Sequence, residues 1–315
     1  MPKTITDRID AITGIRADQR TDAPPCPRSV KIELTARCNF ACAFCATSTK
    51  LRTKGDMSWE FYSERLLPML KAAGVEEVGM FFLGESFLVS WLPKAIAEAK
   101  NRGFGYVFLT TNGSLATPAR VEECMAAGLD SLKFSLNYAD AEQFVSIARV
   151  KSALFDKMVA NIEGAHRIRT SGEYDCGLFA SYIAYDGAQG ERMQALIRRL
   201  QPYLDEIYAL PLYSQADLVG GAMGQWDIRA GNPGRAGNMR ASVPCWSIFT
   251  EARVKYNGHL SACCFDHDGR FDMGDLNEVD FMELWHGDGF RSLRRAHLAN
   301  ELTGTACEKC VAYDG

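Results

Sequence analysis

Three cysteines fall within eight residues in the run Cys38-Asn39-Phe40-Ala41-Cys42-Ala43-Phe44-Cys45. Thiolates are soft ligands, suited to zinc, copper(I) or iron–sulfur chemistry. Three of them are one short of closing a four-iron cluster, so a cluster held here keeps one iron open to another ligand. Zinc is the competing reading. Zinc sites favour short paired spacings with a fourth local ligand, and neither His nor Asp follows closely after Cys45. A second group, Cys245, Cys263, Cys307 and Cys310, is separated by 18, 44 and 3 residues and ends in a Cys-x-x-Cys chelating pair. Four thiolates can close either a cluster or a structural zinc site, because the two share ligand types. Cys26, Cys124 and Cys176 read as small buried apolar residues or incidental thiols.

These groups need a scaffold, and the chain between them has one rhythm. Short apolar runs near 30–36, 76–83, 105–110, 130–136, 177–184 and 205–212 alternate with amphipathic stretches near 58–73, 89–102, 117–127, 153–170 and 189–200. Strand followed by helix, repeated, predicts an α/β fold with a parallel sheet. The runs Glu77–Leu83 and Tyr106–Thr110 are almost continuously apolar, as expected of strands covered on both faces. Six such units suggest an incomplete barrel. In barrels the loops after the strands share one face, which holds the active site. The first Cys loop, Glu85, Asn112 and Ser135 all fall at such strand ends.

Here the sequence resembles the radical S-adenosylmethionine (SAM) enzymes, whose CxxxCxxC loop follows the first strand of a partial (βα)6 TIM-like barrel. Phe44 stands where that family has an aromatic before the third Cys, and Gly84-Glu85 is similar to its SAM amino-group motif, with Leu83 and Ser86 departing from the usual Gly-Gly-Glu-Pro. Thr111-Asn112-Gly113, Ser135-Leu136-Asn137 and Arg149 lie where relatives place groups around the ribose and methionine carboxylate. The resemblance spans about residues 30–212. It implies Phe44, Gly84, Glu85, Asn112, Ser135, Asn137 and Arg149 as SAM contacts, Cys38, Cys42 and Cys45 as ligands of a [4Fe–4S] cluster, and an electron donor such as flavodoxin or ferredoxin. The implied chemistry is cleavage of SAM to a 5′-deoxyadenosyl radical that abstracts a substrate hydrogen.

Beyond the barrel, 214–244 is rich in glycine and reads as a linker or a lid. Asn257-Gly258, between strand-like runs 252–256 and 259–265, predicts a β-hairpin, and a helix is expected over 279–299. This part resembles a small C-terminal twitch/SPASM-like domain, a β-hairpin plus helix. The resemblance implies a second [4Fe–4S] cluster on Cys245, Cys263, Cys307 and Cys310. Cys264 adjoins Cys263 on the outgoing strand and is expected on the opposite face, as a buried thiol or a hydrogen-atom donor. The expected division is an N-terminal extension 1–29, barrel 30–213, linker or lid 214–244 and auxiliary-cluster domain 245–315.

The 315 residues, 47% of them apolar, carry a net charge of −4, which excludes a disordered chain and lacks a general nucleic-acid binder's basic footprint. No apolar stretch reaches the roughly 20 residues of a membrane span. The N-terminus has no secretory h-region, so a cytoplasmic setting is expected, in which eleven cysteines point to metal before disulfides. The leading expectation is oxidation of a small molecule such as an amino sugar or aminocyclitol, with the second cluster accepting an electron. Peptide cross-linking or epimerisation by a maturase is the alternative, and a non-catalytic zinc protein is the alternative of another class.

Overall fold

The computed structural model describes residues 4–49, 51–219 and 228–311. Six parallel strands, β1 (Ser29–Ile32), β2 (Glu77–Gly79), β3 (Tyr106–Thr111), β4 (Ser131–Leu136), β5 (Gly177–Ile183) and β6 (Glu206–Leu210), lie side by side in sequence order. The expected partial barrel is therefore present. Between the strands run α2 (Leu67–Ala73, preceded by a π-helical stretch Phe61–Leu66), α3 (Leu92–Asn101), α4 (Pro118–Ala126), α6 (Ala153–Ser171) and α7 (Gly187–Leu200). Side chains alternate across each strand. Val107 on β3 and Leu132, Phe134 and Leu136 on β4 are fully buried and line no cavity. Phe108, Thr110, Ser131 and Lys133 line an interior cavity instead, so the inner face is only half covered. That is a correction to the expectation from apolar content.

Four helices were not expected, two of them the one-turn helices Ser247–Thr250 and Glu308–Val311 of the C-terminal part. In α5 (Ala141–Ala148) the Asp140 carboxylate accepts from Gln143 N at 2.8 Å and the Gln143 amide oxygen accepts from Ala139 N at 2.5 Å, a reciprocal N-terminal cap. In α1 (Ile5–Thr13), within the N-terminal extension, Ile5, Ile9 and Ile12 fall on one face and line the floor of the cavity. Arg8 fixes α1 to the strand starts, 2.6 Å from the Glu77 carboxylate and 3.4 Å above the Tyr106 ring.

The C-terminal part continues the barrel sheet. After α8 (Ser247–Thr250), β11 (Glu251–Val254) pairs parallel with β1, in register from Ser29 opposite Glu251 to Ile32 opposite Val254. β12 (His259–Ser261) and β13 (Asp272–Asp275) follow antiparallel, giving the order β13-β12-β11-β1-β2-β3-β4-β5-β6. The hairpin turns at Asn257-Gly258 as expected, with Gly258 at φ +88, but its outgoing strand stops at Ser261. The helix expected over 279–299 is broken at Gly287 into α9 (Phe281–Trp285) and α10 (Asp288–Ala299), and α11 (Glu308–Val311) carries Cys310. Two small ladders involve 214–244: β7 (Leu212–Tyr213), just before the segment, pairs with β8 (Ile228–Arg229) inside it, and β9 (Gly234–Arg235) pairs with β10 (Asn238–Met239). Gly220, Gly221 and Gly224 of that segment lie outside the described residues.

Candidate functional site

The Cys38–Cys45 loop leaves β1 and is held from three sides. Ala41 N–H donates to Ala148 O at 3.1 Å and Ala43 N–H to Ile147 O at 2.8 Å, so the carbonyl end of α5 anchors the loop's main chain. Phe40 meets the Tyr138 and Phe144 rings edge-on, Phe44 stacks along Tyr138, and the Tyr138 hydroxyl lies 2.9 Å from Cys42 Sγ. Asn39, inside the loop, accepts from Asn112 Nδ2 at 2.9 Å and donates to Ser114 Oγ at 2.9 Å. The three thiols are close enough to interact electrostatically. Burial pushes both Cys38 and Cys42 up to about 12, so each is a neutral thiol until a cation or a metal replaces its proton.

Glu85 and Asn112 join this cluster. Glu85 N–H donates to Arg37 O at 2.8 Å, and a Cβ on Gly84 would overlap the Thr35 carbonyl, so glycine is needed where the two strand ends converge. The Glu85 side chain is 2% exposed. Its carboxylate accepts from Asn112 N and Thr111 Oγ1, each at 2.8 Å, and from Phe87 N at 3.1 Å. Burial raises its pKa while those hydrogen bonds pull it down. Arg149 is exposed at the end of α5 with φ +56, next to Ala148. Asn137 O accepts from Tyr185 Oη at 2.8 Å, and among the described residues no hydrogen bond joins Ser135 to the Cys loop.

The barrel interior holds a cavity of about 310 Å³, lined by Lys31, Phe81, Thr110, Lys133, Tyr208 and Tyr213 and floored by α1; of the expected site residues only Cys264 lines it. Lys31 pairs with Glu251 at 2.9 Å, whereas Lys133 meets only the Tyr208 hydroxyl, at 3.0 Å, among the described residues. A larger, open hollow of about 860 Å³ lies at the strand starts, among Thr4, Arg8, Asp130, Asp205 and Glu206, and contains none of the expected site residues.

The second group of thiols converges as well. Cys245, Cys263, Cys307 and Cys310 line one cavity, and Cys264 lines it with them. The expectation that Cys264 faces away from Cys263 fails because both follow the end of β12, where strand alternation no longer applies. Cys264 also reaches the barrel cavity, the one cysteine among the described residues to do so. Burial raises Cys245, lifts Cys307 to about 12 and Cys310 to about 11. The hydrogen bond to Cys264, together with burial, raises Cys263. Burial also works against the Cys264 anion, but that hydrogen bond and the Arg253 and Lys31 charges outweigh it and bring the thiol to about 7.

Two residues to which the sequence assigned no role belong here. His297, on α10, lines the thiol cavity, accepts from Cys245 N–H through Nδ1 at 3.3 Å and leaves its buried Nε2 without a partner. Gln215 donates to Phe44 O at 2.8 Å and accepts from Ala46 N at 2.9 Å, clamping the first Cys loop. No three His, Cys, Asp or Glu side chains among the described residues are close enough to share a single ion. The second group of thiols lines a cavity rather than converging on a point, and His297, with its unpartnered Nε2, lines the same cavity, which suits a larger sulfur-bearing group there.

Residues 32–179 match the model of the radical SAM superfamily and residues 245–311 that of an iron–sulfur cluster-binding domain, SPASM. The GTP 3′,8-cyclase of Synechococcus sp. (strain CC9902) is 31% identical over 145 residues, 43% of this chain and 41% of that protein. The chain thus spans about two fifths of that relative's length. Among solved structures, BtrN in complex with AdoMet and 2-DOIA superposes with a TM-score of 0.60 at 17% identity, covering 90% of this chain and 91% of that one. Streptococcus suis SuiB bound to precursor peptide SuiA gives a TM-score of 0.65 at 14% identity, covering 86% and 67%.

Proposed function

This chain belongs to the radical SAM superfamily and carries its iron–sulfur SPASM module, and from that premise we propose that it is a two-cluster enzyme oxidising a small hydroxylated molecule. Cys38, Cys42 and Cys45 would hold the first [4Fe–4S] cluster, and Cys245, Cys263, Cys307 and Cys310 the second. When bound, these groups would supply a hydrogen-abstracting 5′-deoxyadenosyl radical above the barrel cavity and an electron acceptor beside it.

The observation that carries the reading is the barrel cavity's position, with the first Cys loop at the strand ends and Cys264 joining the cavity to the second thiol group. Its volume of about 310 Å³ suits a small molecule, at the lower end of ligand-pocket sizes. α1 closes the floor and limits water, as radical chemistry requires. Lys133, Thr110 and Tyr208, all bearing hydrogen-bond donors, line it, so hydroxyl or carbonyl oxygens of an amino sugar or aminocyclitol would find polar partners in that wall. Loss of a hydrogen atom, then of a proton and an electron, converts a substrate alcohol to a carbonyl. A peptide side chain entering the same cavity is the second reading, supported by the structural likeness to peptide-bound SuiB.

Metal and sulfide analysis after anaerobic reconstitution tests the proposal. Two clusters require about eight irons per chain with matching sulfide. Zinc without sulfide would overturn the proposal in favour of a structural metal protein.

A further inference from the structure

We propose that His297 is a positioning residue for the second cluster, donating an Nε2–H hydrogen bond to a sulfur of the group held by Cys245, Cys263, Cys307 and Cys310. The inference rests on the reading that these thiols hold an iron–sulfur cluster.

His297 is 1% exposed, and its ring lies in the wall of the thiol cavity. Its Nδ1 accepts the Cys245 main-chain N–H at 3.3 Å. In a neutral imidazole one nitrogen accepts and the other carries the hydrogen, so an accepting Nδ1 assigns the proton to Nε2. That Nε2 has no partner, although a buried donor is costly to leave unpaired. Five of the side chains that line the cavity with His297 are thiols, beside Asn232 and Ser247, and a cluster sulfide or a ligating thiolate held by them would give Nε2–H its acceptor.

The same tautomer argues against His297 as a ligand. Ligation through Nε2 would require the proton on Nδ1, where it would oppose the Cys245 N–H. A hydrogen bond to sulfur favours the reduced, more negative cluster and so raises its reduction potential. His297 thereby makes the second cluster a readier electron acceptor. It also ties the group to the start of α8 through Cys245.

The test compares the full-length reconstituted chain with His297→Leu, which removes the donor, and His297→Gln, which restores an N–H. Iron and sulfide content is measured first. EPR-monitored redox titration then follows the wave that is missing from a Cys307→Ala/Cys310→Ala variant. The expected result is a lower midpoint in His297→Leu, partial recovery in His297→Gln, and no change in the other wave. Electron–nuclear double resonance on the unaltered protein should show an exchangeable proton coupled to the reduced second cluster. Full loading with an unshifted midpoint, no such proton, or a nitrogen bonded directly to iron would each overturn the assignment while leaving the cluster reading intact. Zinc in place of iron and sulfide would overturn both.

Discussion

Gln215 donates its side-chain amide to the Phe44 carbonyl at 2.8 Å, and the main chain of the next residue, Ala216, reaches the Cys310 thiol. One short segment therefore touches both cysteine groups. Gln215, Ala216 and Asp217 all have positive φ, at 50, 59 and 68, a conformation that costs non-glycine residues about 1–2 kcal/mol each. Tertiary contacts at both ends hold it. The two sites are thus mechanically joined through two adjacent residues, Gln215 and Ala216, that a linker reading left unassigned.

Gln215→Ala removes two hydrogen bonds from the Cys loop, worth together about 2 kcal/mol. The expected outcome is faster iron loss from the first site with the second site's iron retained, followed by chelator-release kinetics. Equal release from both sites would show that the clamp does not act on the first loop.

Glu85→Ala leaves the N–H groups of Phe87 and Asn112 and the Thr111 hydroxyl without their acceptor, at about 1–3 kcal/mol for each buried group. Thermal unfolding of the metal-free chain should therefore fall by several degrees, and SAM binding by calorimetry should weaken as well. Glu85→Gln keeps an acceptor oxygen and should recover much of the stability but not the SAM affinity. A variant that loses SAM affinity with no change in unfolding would show that the carboxylate serves only the ligand.

This dual load on Glu85 marks what the sequence reveals and what it does not. The six strand–helix units were legible because each outer strand face is apolar, as in Leu132, Phe134 and Leu136. Helix α1 was missed because Ile5, Ile9 and Ile12 are isolated among polar residues, though their spacing was a usable signal. Helix α5 was missed although Asp140 and Gln143 formed its cap signature. The pairing of β11 with β1 joins residues over 200 positions apart and leaves no local trace. The thiols were found by spacing, whereas Gln215 and His297 act through single long-range contacts to which no motif points.

Cys264 should be the most reactive thiol of the cluster-free protein near neutral pH. Its pKa of about 7 means that the thiolate forms as pH rises through 7, while Cys38, Cys42 and Cys307, at about 12, stay protonated. Iodoacetamide labelling followed by peptide mass analysis should show Cys264 modified first, at half-maximal rate near pH 7. Cys263→Ala should move that midpoint upward by removing a hydrogen bond to the anion. Labelling of Cys264 with the pH dependence of an ordinary thiol would contradict this.

Replacing Cys307 and Cys310 together with Ala should remove about half the iron, since one of two equal clusters is lost. SAM cleavage should continue, without product. Unchanged product formation would rule out the second site as electron acceptor or substrate-positioning element.

The most direct test of the account is the formation of 5′-deoxyadenosine by the reduced, reconstituted protein given SAM, beside the same chain with Cys38, Cys42 and Cys45 all changed to Ala. The account predicts 5′-deoxyadenosine and methionine in equal amounts from the first and none from the second. Cleavage that persists in the triple variant would contradict it.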